Sequence, residues 1–163
     1  VASKYEEMYP PEVRDFVWIA DNAYTREQII AMEGLLLRTL DYNLGCPLPL
    51  HFLRRYSKVT SADQETHHLA KYLMELSISA YNMCGFKPSE IATAAIYLAH
   101  TIMNPGIESW TKQLEYYCEY TFEDIEPCVQ EMTTVIVKSV SIKQQAVRRK
   151  YASSKLLKIS DLP

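Results

Sequence analysis

Lys4 and Glu33 are the residues whose type and setting point to chemistry outside a packed core. Over a helix expected from about Thr25 to Leu40, Ile29, Leu36 and Leu40 share one face at the i, i+7, i+11 spacing, and Glu33 falls inside that stripe. An unpaired carboxylate on an apolar face is expensive to desolvate, so Glu33 must be paired or solvated at a rim. Lys4, beside Glu6 and Glu7 in a short helix ahead of it, is the cation that could answer it. Two opposite charges beside apolar surface suit ion pairing or partner recognition.

Catalytic patterns find little support. His67 and His68 are adjacent and point to different sides of a helix, and His51 and His100 stand alone. There is no glycine-rich phosphate loop, no H-E-x-x-H and no G-x-S-x-G. Cys46, Cys84, Cys118 and Cys128 lack C-x-x-C spacing and are expected to be buried thiols of an intracellular protein. The reading is no catalytic residue, no cofactor, no metal and no small-molecule substrate. The net charge of −3 argues against non-specific nucleic-acid binding, although Arg148-Arg149-Lys150 makes a short basic run. No stretch reaches the ~18 apolar residues of a membrane span.

The elements that position these residues read as helices throughout. Four glycines in 163 residues and almost no alternating apolar pattern give an all-α chain. Helices are expected at 1–8, 11–20, 25–41, 49–58, 62–83, 88–103, 110–118, 121–140 and near 146–154. Pro11 and Pro88 mark first turns, and Thr25 with Gln28 forms a capping box. The helix at 88–103 is apolar nearly all round, as a central helix should be. The helix at 62–83 carries one stripe, Leu69, Leu73, Leu76 and Ala80, with Lys71 and Glu75 facing away. Tyr116, Tyr117 and Tyr120 cluster and are read as structural.

Tyr24-Thr25-Arg-Glu27-Gln-Ile29 aligns with Tyr120-Thr121-Phe-Glu123-Asp-Ile125, an offset of 96 (121 − 25). A repeat of that length suggests two similar helical modules, the first one truncated. The chain begins with Val1 inside a helical pattern and is read as a piece of a longer protein.

Lys4-Tyr-Glu-Glu-Met-Tyr-Pro-Pro-Glu12 resembles the third helix of a cyclin box, as found in A- and B-type cyclins. The resemblance continues through Phe16–Thr25, Met32-Glu33 and Trp110–Tyr117. It takes B-type character from Pro47–Arg55 with Ser57-Lys58 and from Leu69–Leu76, and the tail Lys150–Lys155 with Lys158–Ser160 agrees. The family fold is tandem five-helix cyclin boxes. On that template residues 1–44 form the last three helices of the first box, 45–140 the second box, and 141–163 a C-terminal helix and tail.

The resemblance implies the activating regulatory subunit of a cyclin-dependent serine/threonine kinase at the G2/M transition, working in cytoplasm and nucleus. It assigns Lys4 and Glu33 to a grip on the kinase, with Tyr5, Tyr42 and Leu44 as neighbouring apolar contacts. The family's substrate-docking segment has no counterpart in this chain. A cyclin-box adaptor in transcription is the alternative, which the acidic balance disfavours.

Overall fold

The computed structural model describes residues 1–161. It is helical, and the described residues divide into two compact units, 1–46 and 47–161.

The first unit holds α1 (Ala2–Glu6), α2 (Val13–Ile19) and α3 (Arg26–Thr39). At α3 the Thr25 hydroxyl accepts from the Gln28 N–H at 3.3 Å, and the Gln28 side-chain Oε1 accepts from the Thr25 N–H at 2.8 Å. This is the capping box read from the sequence. Pro11 stands two places further out than expected, because Glu12 is the cap of α2 and its N–H donates to Asp15 Oδ2 at 2.8 Å. Both α2 and α3 end in Schellman geometry: Asn22 N–H donates to Val17 O, and Tyr42 N–H to Leu37 O. The left-handed residues at those ends are Asp21, Asn22, Asp41 and Tyr42 rather than glycine.

No residue of these three helices is fully buried. The apolar stripe of α3 exists, but Leu36 is 47% exposed and Leu40 48%. Ala20 and Ile29 are half-covered.

The second unit contains α4 (Pro49–Val59), α5 (Gln64–Ser77), α6 (Pro88–Met103), α7 (Lys112–Cys118), α8 (Phe122–Ser139) and α9 (Ala146–Tyr151). Helix α6 is its axis and packs against α4, α5 and α8. Ala92, Ala94, Ala95, Ile96 and Ala99 are fully enclosed, and the small side chains let three neighbours approach. Leu53, Leu73, Leu114, Cys128 and Met132 close the core from the surrounding helices. Tyr97, Trp110 and Phe122 meet edge-to-face, with centroids 5.2–6.1 Å apart, and tie α6 to the start of α8. The second half of the sequence repeat is also realised: Thr121 and Asp124 form a capping box at α8, as Thr25 and Gln28 do at α3.

Several expectations are corrected here. The helix expected over 62–83 ends at Ser77, followed by a 3₁₀ turn at Tyr81–Gly85. Ser77 and Ser79 hydroxyls donate to the Met74 and Leu76 carbonyls, each at 2.7 Å, which favours breaking the helix there. Glu75 does not face away from the protein. Its carboxylate accepts from Lys150 Nζ at 2.6 and 2.8 Å and from the Tyr151 hydroxyl at 2.9 Å, pinning α9 to α5.

The cysteines also divide. Cys118 and Cys128 are buried, and enclosure pushes the Cys128 thiol up to about 12, while Cys46 and Cys84 are exposed. Tyr116 is 77% exposed and Tyr117 lies under the Arg55 guanidinium, so the tyrosine cluster is mainly surface. Only Tyr120, bonded to Ser89 at 2.8 Å, is structural in the expected sense.

Candidate functional site

Helix α3 carries Glu33 midway along its length, and the Thr25 capping box fixes where that helix begins. Helix α1 is only five residues, too short to be stable alone, so something must hold it. Lys4 Nζ donates to Glu33 Oε2 at 2.8 Å and supplies that link. The Lys4 hydrogen bond holds the Glu33 carboxyl below its ordinary range, against a smaller opposing effect of partial burial. Glu33 is 22% exposed and Lys4 57%. A pair this open is worth ~1 kcal/mol at most, so its value lies in geometry more than in stability.

Beside the pair runs an open groove of about 690 Å³ between α2 and α3. Phe16, Ala20, Ile29, Met32 and Leu36 line it, with Lys4 and Glu33 on its wall. Phe16 and Met32 are 37% and 54% exposed, so the groove is apolar surface in contact with water.

Tyr5 and Tyr42 are exposed and Leu44 is half-buried. Tyr5 lies beside the turn that carries Leu44, because a Cβ at Gly45 would sit 3.7 Å from its hydroxyl. Tyr42 is held outward by the Schellman turn after α3, with φ of 55°. The structure thus brings Lys4 to Glu33 and Tyr5 to the 44–45 turn. It gives no direct contact between Tyr42 and the ion pair. Sequence reading did not single out Phe16 and Met32 as site residues; their signal was helical spacing, Met32 with Ile29 and Leu36 and Phe16 with Ala20.

Among the described residues no group of three His, Cys, Asp or Glu side chains could hold a metal ion, and no helix is long and apolar enough to cross a membrane. His67 and His68 bond different partners, the Ser57 hydroxyl and the Gln64 carbonyl, both at 2.7 Å. The arrangement offers a charged pair beside exposed apolar and aromatic surface, which is the make-up of a docking face.

The fold and its two units define a class. Residues 1–45 match the family model described as "Cyclin, N-terminal domain", and residues 47–163 match "Cyclin, C-terminal domain". The chain belongs to the cyclin family, and the all-helical structure has the cyclin fold. Within that family it is 54% identical to a G2/mitotic-specific cyclin-B2 of Rana japonica, over 100% of this chain and 42% of the relative. It is 50% identical to a G2/mitotic-specific cyclin-B of Arbacia punctulata, over 99% of this chain and 40% of the relative. A G2/mitotic-specific cyclin-B of Marthasterias glacialis is 48% identical, over 99% and 42%. The chain therefore spans about two fifths of the length of these relatives.

Proposed function

We propose that this chain belongs to the regulatory subunit of a cyclin-dependent serine/threonine kinase that acts at the G2/M transition and in mitosis. The subunit works by binding, contributes no catalytic group, and operates in both cytoplasm and nucleus. The observation that carries this reading is the Lys4–Glu33 pair, set at 2.8 Å on the wall of an uncovered apolar groove. Similarity to relatives named G2/mitotic-specific cyclins supports the timing.

The mechanism follows from what such a face can do. A kinase in equilibrium between inactive and active conformers shifts toward whichever one the subunit binds more tightly. Moving that equilibrium from about 1:99 to 99:1 takes ~5.5 kcal/mol of differential affinity. One exposed ion pair cannot supply that, so apolar anchors must do most of the work. Tyr5, Tyr42 and Leu44 are the anchors assigned here. Lys4 and Glu33 fix register: each neutralises the other in the free chain, and each keeps unused donors or lone pairs for kinase groups. Because α1 and α3 are already tied together, little ordering cost remains at docking.

The test is phosphotransfer to a serine/threonine peptide by a cyclin-dependent kinase, with the intact protein added as wild type or as Lys4→Ala/Glu33→Ala. The proposal expects wild type to raise the rate and the variant to need a higher concentration for the same effect. An identical activation curve for both would refute the assignment of the pair.

A further inference from the structure

The C-terminal segment buries most of its large apolar side chains and exposes most of its basic ones. Tyr151 and Ile159 are buried, and Val147 and Leu156 pack against the core of the second unit. Outward, Lys143, Arg149, Lys150, Lys155 and Lys158 are all exposed. Two successive left-handed residues, Leu157 and Lys158 with φ of 58° and 51°, turn the chain tightly between the 3₁₀ turns Ser154–Leu156 and Ile159–Asp161. Lys158 N–H closes that loop on Ser153 O at 3.1 Å. Left-handed non-glycine backbone costs ~1 kcal/mol or more per residue, so Lys155 and Lys158 are held on a strained but defined loop.

The charge distribution isolates this strap. Residues 141–161 carry six Lys or Arg and one Asp, whereas residues 47–140 of the same unit carry seven Lys or Arg against eleven Asp or Glu. Yet among the described residues only Lys150 of the strap has a carboxylate within 4.0 Å, that of Glu75. The remaining cations lie close together in sequence without counter-charges, which raises a local positive potential on an otherwise acidic protein.

We propose that the outer face of this strap, built on Arg149, Lys155 and Lys158, docks a short Asp/Glu-rich segment of a partner protein. The acidic body sets the length. Screening extends ~8 Å at physiological salt, so an extended polyanion that overran the strap would meet repulsion from the acidic remainder. A short acidic peptide need not. The strap also lacks the exposed aromatic rings on which single-stranded nucleic acid stacks, since Tyr151 is its only aromatic and is fully buried. Its exposed apolar side chains, Ile142 and Leu157, are only 38% and 39% exposed, which gives little to insert into a lipid surface. This site is separate from the kinase-docking reading and does not depend on it.

The experiment is fluorescence anisotropy of a labelled twelve-residue peptide of alternating Glu and Gly, titrated with the chain at low and physiological salt. Arg149→Gln/Lys155→Gln/Lys158→Gln removes three strap charges and leaves the Lys150–Glu75 bond intact. Arg14→Gln/Lys87→Gln/Lys112→Gln removes as many charges elsewhere, and circular dichroism checks that both variants remain folded. The strap variant is expected to bind about tenfold more weakly and the control within about twofold of wild type, the loss set by a few exposed ion contacts. Equal loss in both variants, or no peptide binding by wild type, would overturn the proposal. So would tighter binding of duplex DNA or of phosphatidylserine vesicles than of the peptide.

Discussion

Replacing Glu75 with alanine removes the carboxylate that fastens the C-terminal helix, and the structure allows the cost to be worked out. The Tyr151 ring is fully enclosed against Tyr72, with centroids 5.2 Å apart, and its hydroxyl donates to Glu75 Oε1 at 2.9 Å. Burial and the neighbouring carboxylate both push the Tyr151 hydroxyl far above its ordinary range, so it remains a donor at any working pH. In Glu75→Ala that donor loses its charged acceptor, which costs ~1.5–3 kcal/mol. Losing the half-exposed Lys150 pair adds ~0.2–1 kcal/mol. The sum is ~2–4 kcal/mol, a large part of the stability of an ordinary domain.

Urea unfolding followed by Trp110 fluorescence, in a Trp18→Phe background, would report on the second unit alone. Tyr151→Phe should cost less, because the ring stays packed. Glu75→Ala/Tyr151→Phe should cost clearly less than the two single changes added, with a coupling of ~1 kcal/mol or more. A loss below ~0.5 kcal/mol for Glu75→Ala, or strict additivity, would refute the claim that one carboxylate holds α9 in place.

Other consequences can be checked in the same way. Gly34→Ala should raise stability by ~0.5–1 kcal/mol, because an added Cβ meets only the Arg38 guanidinium, at 3.8 Å, and helix propensity improves; calorimetry would detect it. Thr25→Ala should cost ~1 kcal/mol and fray the start of α3, visible as faster amide exchange over residues 26–29. Burial holds both His67 and His100 below the ordinary histidine value of 6.5, and His100 Nε2 is enclosed without a partner. The unfolded chain therefore takes up protons first, so stability should be full above pH 6.5 and fall as pH drops below it toward the folded-state values. Unfolding midpoints measured at a series of pH values would show the decline, and a flat profile across that window would count against neutral buried imidazoles.

What was legible in the sequence was local. The Thr25 capping box, its Thr121 counterpart in the repeat and the enclosed α6 depend on residues within one or two turns of each other and are present in the structure; of the expected stripe, Leu69, Leu73 and Leu76 are buried on α5, joined by Ala70, Tyr72 and Met74, while Ala80 lies beyond its end. The break of α5 at Ser77 has no proline or glycine to announce it, and depends on serine hydroxyls returning to the helix carbonyls. The ends of α2 and α3 were blurred for a related reason: Asp21 and Asp41 take left-handed positions where glycine would have been a clear signal. Glu75 was misread because its partners lie 75 and 76 residues away.

The α3 stripe marks the limit of periodicity. Periodicity states which side of a helix is apolar, whereas what covers that side depends on neighbours the pattern does not contain. Lys4 and Glu33 could be placed together on charge alone, and their 2.8 Å separation is consistent with that reasoning. The proposed grip of the pair on a kinase comes down to one measurement.

That measurement is the dissociation constant of a cyclin-dependent kinase for the intact protein and for its Glu33→Ala variant, by titration calorimetry at physiological salt. The account predicts at least tenfold weaker binding by the variant, with helical content unchanged by circular dichroism. Equal affinities in two equally folded proteins would contradict it.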